Sequence, residues 1–233
     1  MMGQRRTGRV AAALAMIYVF GVGGPSPLAA EEGANSEEFS LEGIRVDVEG
    51  QVVRLEASLC LREGILEYVA VSRRGKTYES LFELKARPSQ IHAALILAGL
   101  EPRRSGEKAG PDDTPLRIKV KWEKGTLQRD GNTVPVEELL TDRSRSGKAE
   151  ALTWRFTGSI LGPDIDGKPG ETVYVADLER SVIAIWPDQT AVLNLIQKSR
   201  NPYRGDTYGF EARTNSLPKL GEEAWLVIER AAP

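Results

Sequence analysis

The side chains best suited to chemistry lie around one predicted turn and the start of one predicted helix. They are polar residues within an otherwise apolar stretch: Glu67, Lys76, Tyr78, Glu79, Ser80, Arg87 and His92. His92 is the single histidine of the chain, and an imidazole beside a carboxylate can act as a general base or bind a metal ion. The spacing predicts a small polar ligand-binding site where two strands meet a helix N-terminus. Ordinary surface charges on a hairpin are the alternative.

An anionic ligand is the chemistry that this cluster favours. Free N–H groups at a helix N-terminus attract negative charge. The guanidinium of Arg87 can donate two hydrogen bonds to a carboxylate or a phosphate. We therefore expect the partner to be a protein or a small anionic ligand.

Catalysis has less support from the residue types. The alternative function is a hydrolase or a metal-assisted enzyme built on Glu67, Glu79, Ser80 and His92. No Gly-x-Ser-x-Gly motif supports Ser80 as a nucleophile. Zinc sites draw on several His and Cys ligands, whereas this chain has one of each. Asp164, Asp166 and Glu171 lie too close together for a twelve-residue calcium loop. The sequence predicts no cofactor and no metal, and it favours a non-catalytic module.

The elements that must position these residues follow strand and helix patterns in alternation. Nine strands are predicted, either from alternating apolar and polar residues or from short apolar runs. They lie at residues 44–49, 53–57, 65–71, 77–84, 116–122, 153–161, 172–176, 181–186 and 224–228. A helix at about residues 90–100 is apolar nearly all round, which predicts burial. A second, shorter helix is predicted at about residues 188–197. The fold class predicted is α+β, mainly antiparallel sheet around the buried helix.

A tandem pseudo-repeat is one interpretation of the order of these elements. Residues 68–71 and 174–177 both begin Tyr-Val-Ala, and each is followed by a strand and a proline-led apolar segment. The chain would then consist of two related halves, at about residues 41–140 and 151–233. Chance similarity between common strand–helix patterns is the other interpretation.

The N-terminus predicts export. Three arginines precede an apolar run at residues 10–22, and small residues follow at 28–30, which is the pattern of a Sec-type signal peptide over residues 1–30. The run is shorter than the about 20 residues that span a membrane, so an uncleaved anchor is the less favoured alternative. Residues 31–40 are predicted to be a flexible lead-in to a domain at 41–233. We expect a periplasmic or secreted protein with no stable membrane insertion after cleavage.

Charge and cysteine content further limit the class of protein and the source of its stability. Cleavage would remove three arginines and no acidic residue from a chain of formal net charge −2, which leaves an acidic protein. A nucleic-acid binder needs a clustered positive face, so this class is excluded. Cys60 is the single cysteine and cannot form an internal disulfide, so stability must come from a hydrophobic core.

Three stretches carry a resemblance to a known family. Residues 64–68, 75–81 and 86–95, which read GILEY, GKTYESL and ARPSQIHAAL, resemble the YdjY-type domain of exported bacterial proteins. The similarity covers about residues 40–200. This chain has Tyr78 where a histidine is expected before the Glu-Ser pair, and one cysteine cannot build the four-cysteine iron–sulfur cluster of some relatives. The resemblance implies a family without an established activity, which favours an exported binding or interaction module.

Overall fold

Strands form most of the described chain. The computed structural model describes residues 38–103, 115–123, 133–145, 147–164, 170–197, 203 and 208–231. The strands are β1 (Glu38–Leu41), β2 (Ile44–Asp47), β3 (Val52–Leu59), β4 (Ile65–Leu66), β5 (Tyr68–Ser72), β6 (Ser80–Leu84), β7 (Leu116–Trp122), β8 (Thr133–Pro135), β9 (Leu140–Asp142), β10 (Gly147–Lys148), β11 (Trp154–Phe156), β12 (Leu161–Pro163), β13 (Thr172–Tyr174), β14 (Ser181–Ala184), β15 (Leu193–Leu195), β16 (Phe210–Ala212) and β17 (Glu223–Arg230).

Helices are few in the described residues. Two are α-helices, α1 (Pro88–Leu97) and α2 (Val175–Glu179). The others are short 3-10 helices at Thr77–Glu79, Val136–Leu139 and Thr214–Ser216.

Eight strands close into a barrel. Their order is β3-β17-β7-β11-β15-β14-β5-β6, and β6 pairs back onto β3 to complete the ring. Alternate residues along β3 and β7 are buried, because successive side chains of a strand point to opposite faces and one face lines the interior. The interior is filled by large apolar side chains, including those of Phe82, Trp122 and Trp154.

Strand β17 holds the barrel together across the length of the chain. It pairs antiparallel with β3 on one side and with β7 on the other. Its inward residues Ala224, Leu226 and Ile228 are fully buried. The last described strand therefore lies between two strands that both end at least 100 residues earlier in the sequence.

Smaller elements decorate the barrel. The β1–β2 hairpin extends the sheet beyond β3, and β8 pairs with β7. Strands β10, β9, β16 and β4 form a separate four-stranded sheet, and β12 pairs with β13. Residues 38–40, predicted to lie in a flexible lead-in, belong to β1.

The predicted α+β class, with a buried helix inside mainly antiparallel sheet, is wrong. The protein is mostly β, and its centre is the closed barrel. Helix α1 lies outside the ring, packed on β2, β3 and α2. Only one of its faces is buried, through Ile91, Ala94 and Leu95, while Ile96 and Leu97 are exposed. Uniform apolarity gave no indication of which face would pack.

The predicted second helix at about residues 188–197 is also wrong. This segment contains β15, which pairs parallel with β14 and antiparallel with β11. All three of its residues are buried, and the polar Asn194 between the two leucines donates hydrogen bonds to Thr157 and Asp188. The mostly apolar stretch around it, residues 191–196, reads equally well as a buried helix or a buried strand.

The two segments of the suggested pseudo-repeat have different structures. Residues 68–71 form part of strand β5, whereas 174–177 end β13 and begin α2. Strands β5 and β6 are parallel, because residues 73–79 carry the chain back before β6 starts. The suggested halves also interleave, since β17 is inserted between β3 and β7.

Several strand predictions are confirmed. The strands predicted at residues 44–49, 53–57, 116–122 and 224–228 are observed as β2, β3, β7 and β17. The predicted signal peptide lies outside the described residues. Among the described helices, none has the length and apolar character needed to span a bilayer.

Candidate functional site

The barrel separates the predicted polar cluster into two groups. In the parallel pair β5–β6, Tyr68 lies opposite Ser80 and Ser72 lies opposite Leu84. Glu67 and Glu79 precede these strands, so they lie at one end, named here the Glu79 end. Arg87 and His92 follow β6, so they lie at the other end, named here the α1 end. Five residues of strand span about 16 Å, which separates the two groups.

The Glu79 end carries a network of charged and aromatic side chains. Lys76 Nζ lies 3.6 Å from Glu79 Oε1 and 5.5 Å from the centre of the Tyr68 ring. The backbone N–H of Glu67 donates to the carbonyl oxygen of Glu79 at 3.0 Å. The Tyr203 hydroxyl donates to Glu79 Oε2 at 3.3 Å. The structure therefore brings Glu67, Lys76 and Glu79 together, as the sequence predicted.

At this end, groups of the protein itself compensate the negative charge of the carboxylates. Burial, and then the adjacent Glu79 carboxylate, raises the pKa of Glu67. Burial raises the pKa of Tyr68 to about 12, and its hydroxyl donates to Asp188 Oδ2 at 2.9 Å. The Lys76 ammonium supplies the positive charge next to the carboxylates. Within the described residues, no group of three or more His, Cys, Asp or Glu side chains is arranged to hold a metal ion.

Ser80 and Cys60 have structural roles at this end. Ser80 is fully buried, and its hydroxyl donates to the carbonyl oxygen of Lys76 at 2.7 Å. The Cys60 thiol donates to the carbonyl oxygen of Ser80 at 3.1 Å, and burial raises its pKa to about 12. A thiol with that pKa is a poor nucleophile at neutral pH. Tyr78 is 72% exposed and stands apart from the network.

The N-terminus of α1 is already occupied by a side chain. Asp177 Oδ1, from α2, accepts a hydrogen bond from the backbone N–H of Ser89 at 2.9 Å. The side chain of Gln90 accepts from the backbone N–H of Arg87 at 3.0 Å. The N–H groups predicted to attract an anion thus have acceptors from the protein.

His92 lies beside Tyr174 rather than beside a carboxylate. Its Nδ1 is 2.9 Å from the Tyr174 hydroxyl, which donates to the carbonyl oxygen of Gly158 at 2.8 Å. The rings of Phe156 and Tyr174 pack against the imidazole edge to face. Burial lowers the pKa of His92 below its ordinary value, and a hydrogen bond with the Gly158 backbone opposes part of this shift, so the neutral imidazole is favoured.

A pocket of about 480 Å³ opens between α1 and the segment at residues 158–161. Its lining combines apolar groups with hydroxyls and one imidazole, and consists of Ser89, His92, Pro102, Gly158, Ser159, Ile160, Leu161 and Tyr174. We name it the α1 pocket. None of the described residues that line it carries a charged side chain, and its wall residue Leu161 is 72% exposed.

The opposite side of α1 borders a second groove, of about 450 Å³. Phe39 and Leu41 of β1 form one wall, and Ala93 and Leu97 of α1 form the other. Ser89 lines both this groove and the α1 pocket. The outward surface of α1 is therefore apolar on both flanks.

The residues named for the enzyme alternative do not meet. His92 contacts Tyr174 and Phe156 at the α1 end, while Glu67, Glu79 and Ser80 lie at the Glu79 end. No hydrogen bond between described residues joins His92 to any of the other three. The geometry gives Ser80 neither an adjacent base nor access to a substrate.

Sequence reasoning missed the residues that complete the α1 pocket. Tyr174 and Asp177 lie more than 80 positions from the residues of α1 that they contact. Both stand in the stretch interpreted as half of a repeat. The signal that could have drawn attention to the stretch after β11 was the exposed apolar pair Ile160 and Leu161, next to Gly158.

Comparison with known proteins gives one match. Residues 44–229 match the family model of the YdjY domain, which spans the whole barrel and the α1 pocket. No curated protein and no solved structure matches the chain.

Proposed function

The chain belongs to the YdjY domain family, and from that premise we propose that it is an exported, non-catalytic binding module that holds a small, largely apolar molecule in the α1 pocket. The observation that carries this proposal is the pocket itself. It combines an apolar wall with an imidazole whose Nε2 has no hydrogen-bond partner among the described residues.

The size and lining of the pocket support a small-molecule ligand. Ligand sites in proteins measure roughly 300–1,000 Å³ and are mostly apolar, with a few polar groups that fix orientation. The α1 pocket has about 480 Å³ and the apolar side chains of Pro102, Ile160 and Leu161. Ile160 and Leu161 form a contiguous exposed apolar pair on the pocket wall, which a bound molecule would cover.

A binding role also fits the lack of an activated nucleophile in the pocket. Ser89 and His92 line the same wall, but no hydrogen bond joins their side chains. A tyrosine hydroxyl, rather than a carboxylate, orients the imidazole. The arrangement therefore lacks the charged partner that stabilises an imidazolium during acyl transfer.

The test uses 1-octanol as the probe and backbone NMR shifts of the full chain as the readout. We expect saturable shifts in α1 and in residues 156–161 and 174. Leu161→Asp should weaken binding about tenfold, which corresponds to about 1.4 kcal/mol. Leu220→Asp is the matched control, because Leu220 is also an exposed leucine but lies near the Glu79 end. Equal binding by both variants, or shifts away from the α1 pocket, would refute the proposal.

A further inference from the structure

The hydrogen-bond chain through Tyr174 decides which nitrogen of His92 carries the proton. A phenol has one hydroxyl proton, and the Tyr174 hydroxyl donates it to the carbonyl oxygen of Gly158. Its oxygen must then accept from Nδ1–H of His92 at 2.9 Å. In a neutral imidazole the other nitrogen is then an acceptor. Nε2 thus offers a lone pair and finds no donor among the described residues.

Ser89 provides the complementary group. It lies three residues before His92 on α1, and residues at this spacing share one helix face, about 5–6 Å apart at Cβ. Its backbone N–H is bound by Asp177, but its hydroxyl has no partner among the described residues. Both side chains line the α1 pocket. One acceptor and one hydroxyl therefore stand side by side on the pocket wall.

Charge selects against ionised ligands at this position. Among the described residues, the pocket lining includes no lysine, arginine or acidic side chain that could pair with a charged group. The Asp177 carboxylate lies next to Ser89 and would repel an anion. A neutral polar group is the one that loses least on entering the pocket.

The geometry points to an alcohol as the ligand's recognised group: its hydroxyl donates to Nε2 of His92 and accepts from the hydroxyl of Ser89, while its apolar body covers Ile160 and Leu161. This inference rests on the proposed function, because it names the class of molecule that the α1 pocket binds. It replaces the small anionic ligand expected from the sequence.

The test compares three probes that share a similar apolar chain. 1-Octanol can donate and accept, heptyl methyl ether has the same number of heavy atoms but can only accept, and octanoate is anionic. We expect 1-octanol to bind about tenfold more tightly than the ether, the value of one satisfied buried hydrogen bond. We expect octanoate to bind more weakly than 1-octanol, because Asp177 lies beside Ser89.

Two variants assign the hydrogen bonds. His92→Phe keeps an aromatic ring but removes Nε2, so it should bring the affinity for 1-octanol down to that for the ether and leave the ether unchanged. Ser89→Ala removes the second contact and should weaken both probes. The comparison among probes on the unaltered protein needs no variant, so a misfolded variant does not block the test.

The outcomes separate this inference from the function on which it rests. If 1-octanol and the ether bind equally, and Leu161→Asp weakens both, the pocket binds apolar molecules and the alcohol inference is overturned. If octanoate binds most tightly, the inference is overturned in favour of an anion. If no probe binds, both the inference and the proposed function fail.

Discussion

Tyr174 fixes the chemical state of the one histidine in the protein. Its hydroxyl bridges His92 Nδ1 and the carbonyl oxygen of Gly158, so the imidazole is held as one tautomer. The sequence suggested a general base or a metal ligand beside a carboxylate. The side-chain partner observed is instead Tyr174, 82 positions away, and a hydrogen bond with the Gly158 backbone also affects the pKa of His92.

A lowered pKa should appear in the titration of His92. Burial is the largest cause of the shift that lowers the pKa of His92 below 6.5. The unfolded chain then takes up a proton first as the pH falls. Stability should be constant above pH 6.5 and decrease below it, until the folded-state pKa is reached.

NMR of the imidazole and urea unfolding over roughly pH 5 to 8 would measure these quantities. His92→Phe should remove this part of the pH dependence. A titration midpoint at or above the ordinary value for histidine would contradict the burial argument.

Helix α1 is apolar on nearly all sides, so its sequence does not indicate which face will be buried. The sequence correctly placed a helix after Pro88, yet its apolarity predicted burial on every side. The structure buries one face and leaves Ala93, Ile96 and Leu97 toward solvent beside the two grooves. No charged residue marked the outer face, so the choice came from the position of β2, β3 and α2.

The capping of α1 by Asp177 should contribute measurably to stability. Asp177→Ala removes the acceptor for the Ser89 N–H, and we expect the free energy of unfolding to fall by about 1 kcal/mol. Asp177→Asn keeps an oxygen acceptor and should cost less. Glu179→Ala is the control, because Glu179 is an exposed acidic residue of α2, the helix that also contains Asp177. Urea denaturation would measure the three values, and equal losses for Asp177→Ala and Glu179→Ala would exclude the cap.

Closure of the barrel makes the molecule one cooperative structure. Strand β17 lies between β3 and β7, and β6 completes the ring against β3. Each strand of the ring contributes side chains to the same core, so the removal of one exposes its two neighbours.

A fragment of residues 38–140 should therefore fail to fold by itself. It lacks β11, β14, β15 and β17, which form half of the ring. We expect no cooperative thermal transition by circular dichroism, and poor dispersion of its NMR spectrum. Residues 38–233 contain every strand of the ring and serve as the control, with a single cooperative transition expected. A well-dispersed spectrum of the fragment would show that half a barrel suffices.

Local pattern determined several features of this protein before any tertiary structure was considered. The alternation of β3 and β7 predicted strands with one inward face, because side-chain direction has a period of two in any strand. The residues quoted around 64–95 predicted the YdjY family, which the family match confirms. Glu67, Lys76 and Glu79 were grouped correctly because they lie on either side of a single chain reversal.

Tertiary structure alone decided the rest. Strand pairing is set by contacts between distant segments. The parallel pairs and the pairing of β6 with β3 therefore could not be predicted from the local sequence pattern. The mostly apolar segment around β15 read as a helix, because a short buried strand and a buried helix share this pattern. Tyr174 and Asp177 reach α1 from more than 80 residues away. The α1 pocket follows from those contacts, which depend on where the barrel places its loops.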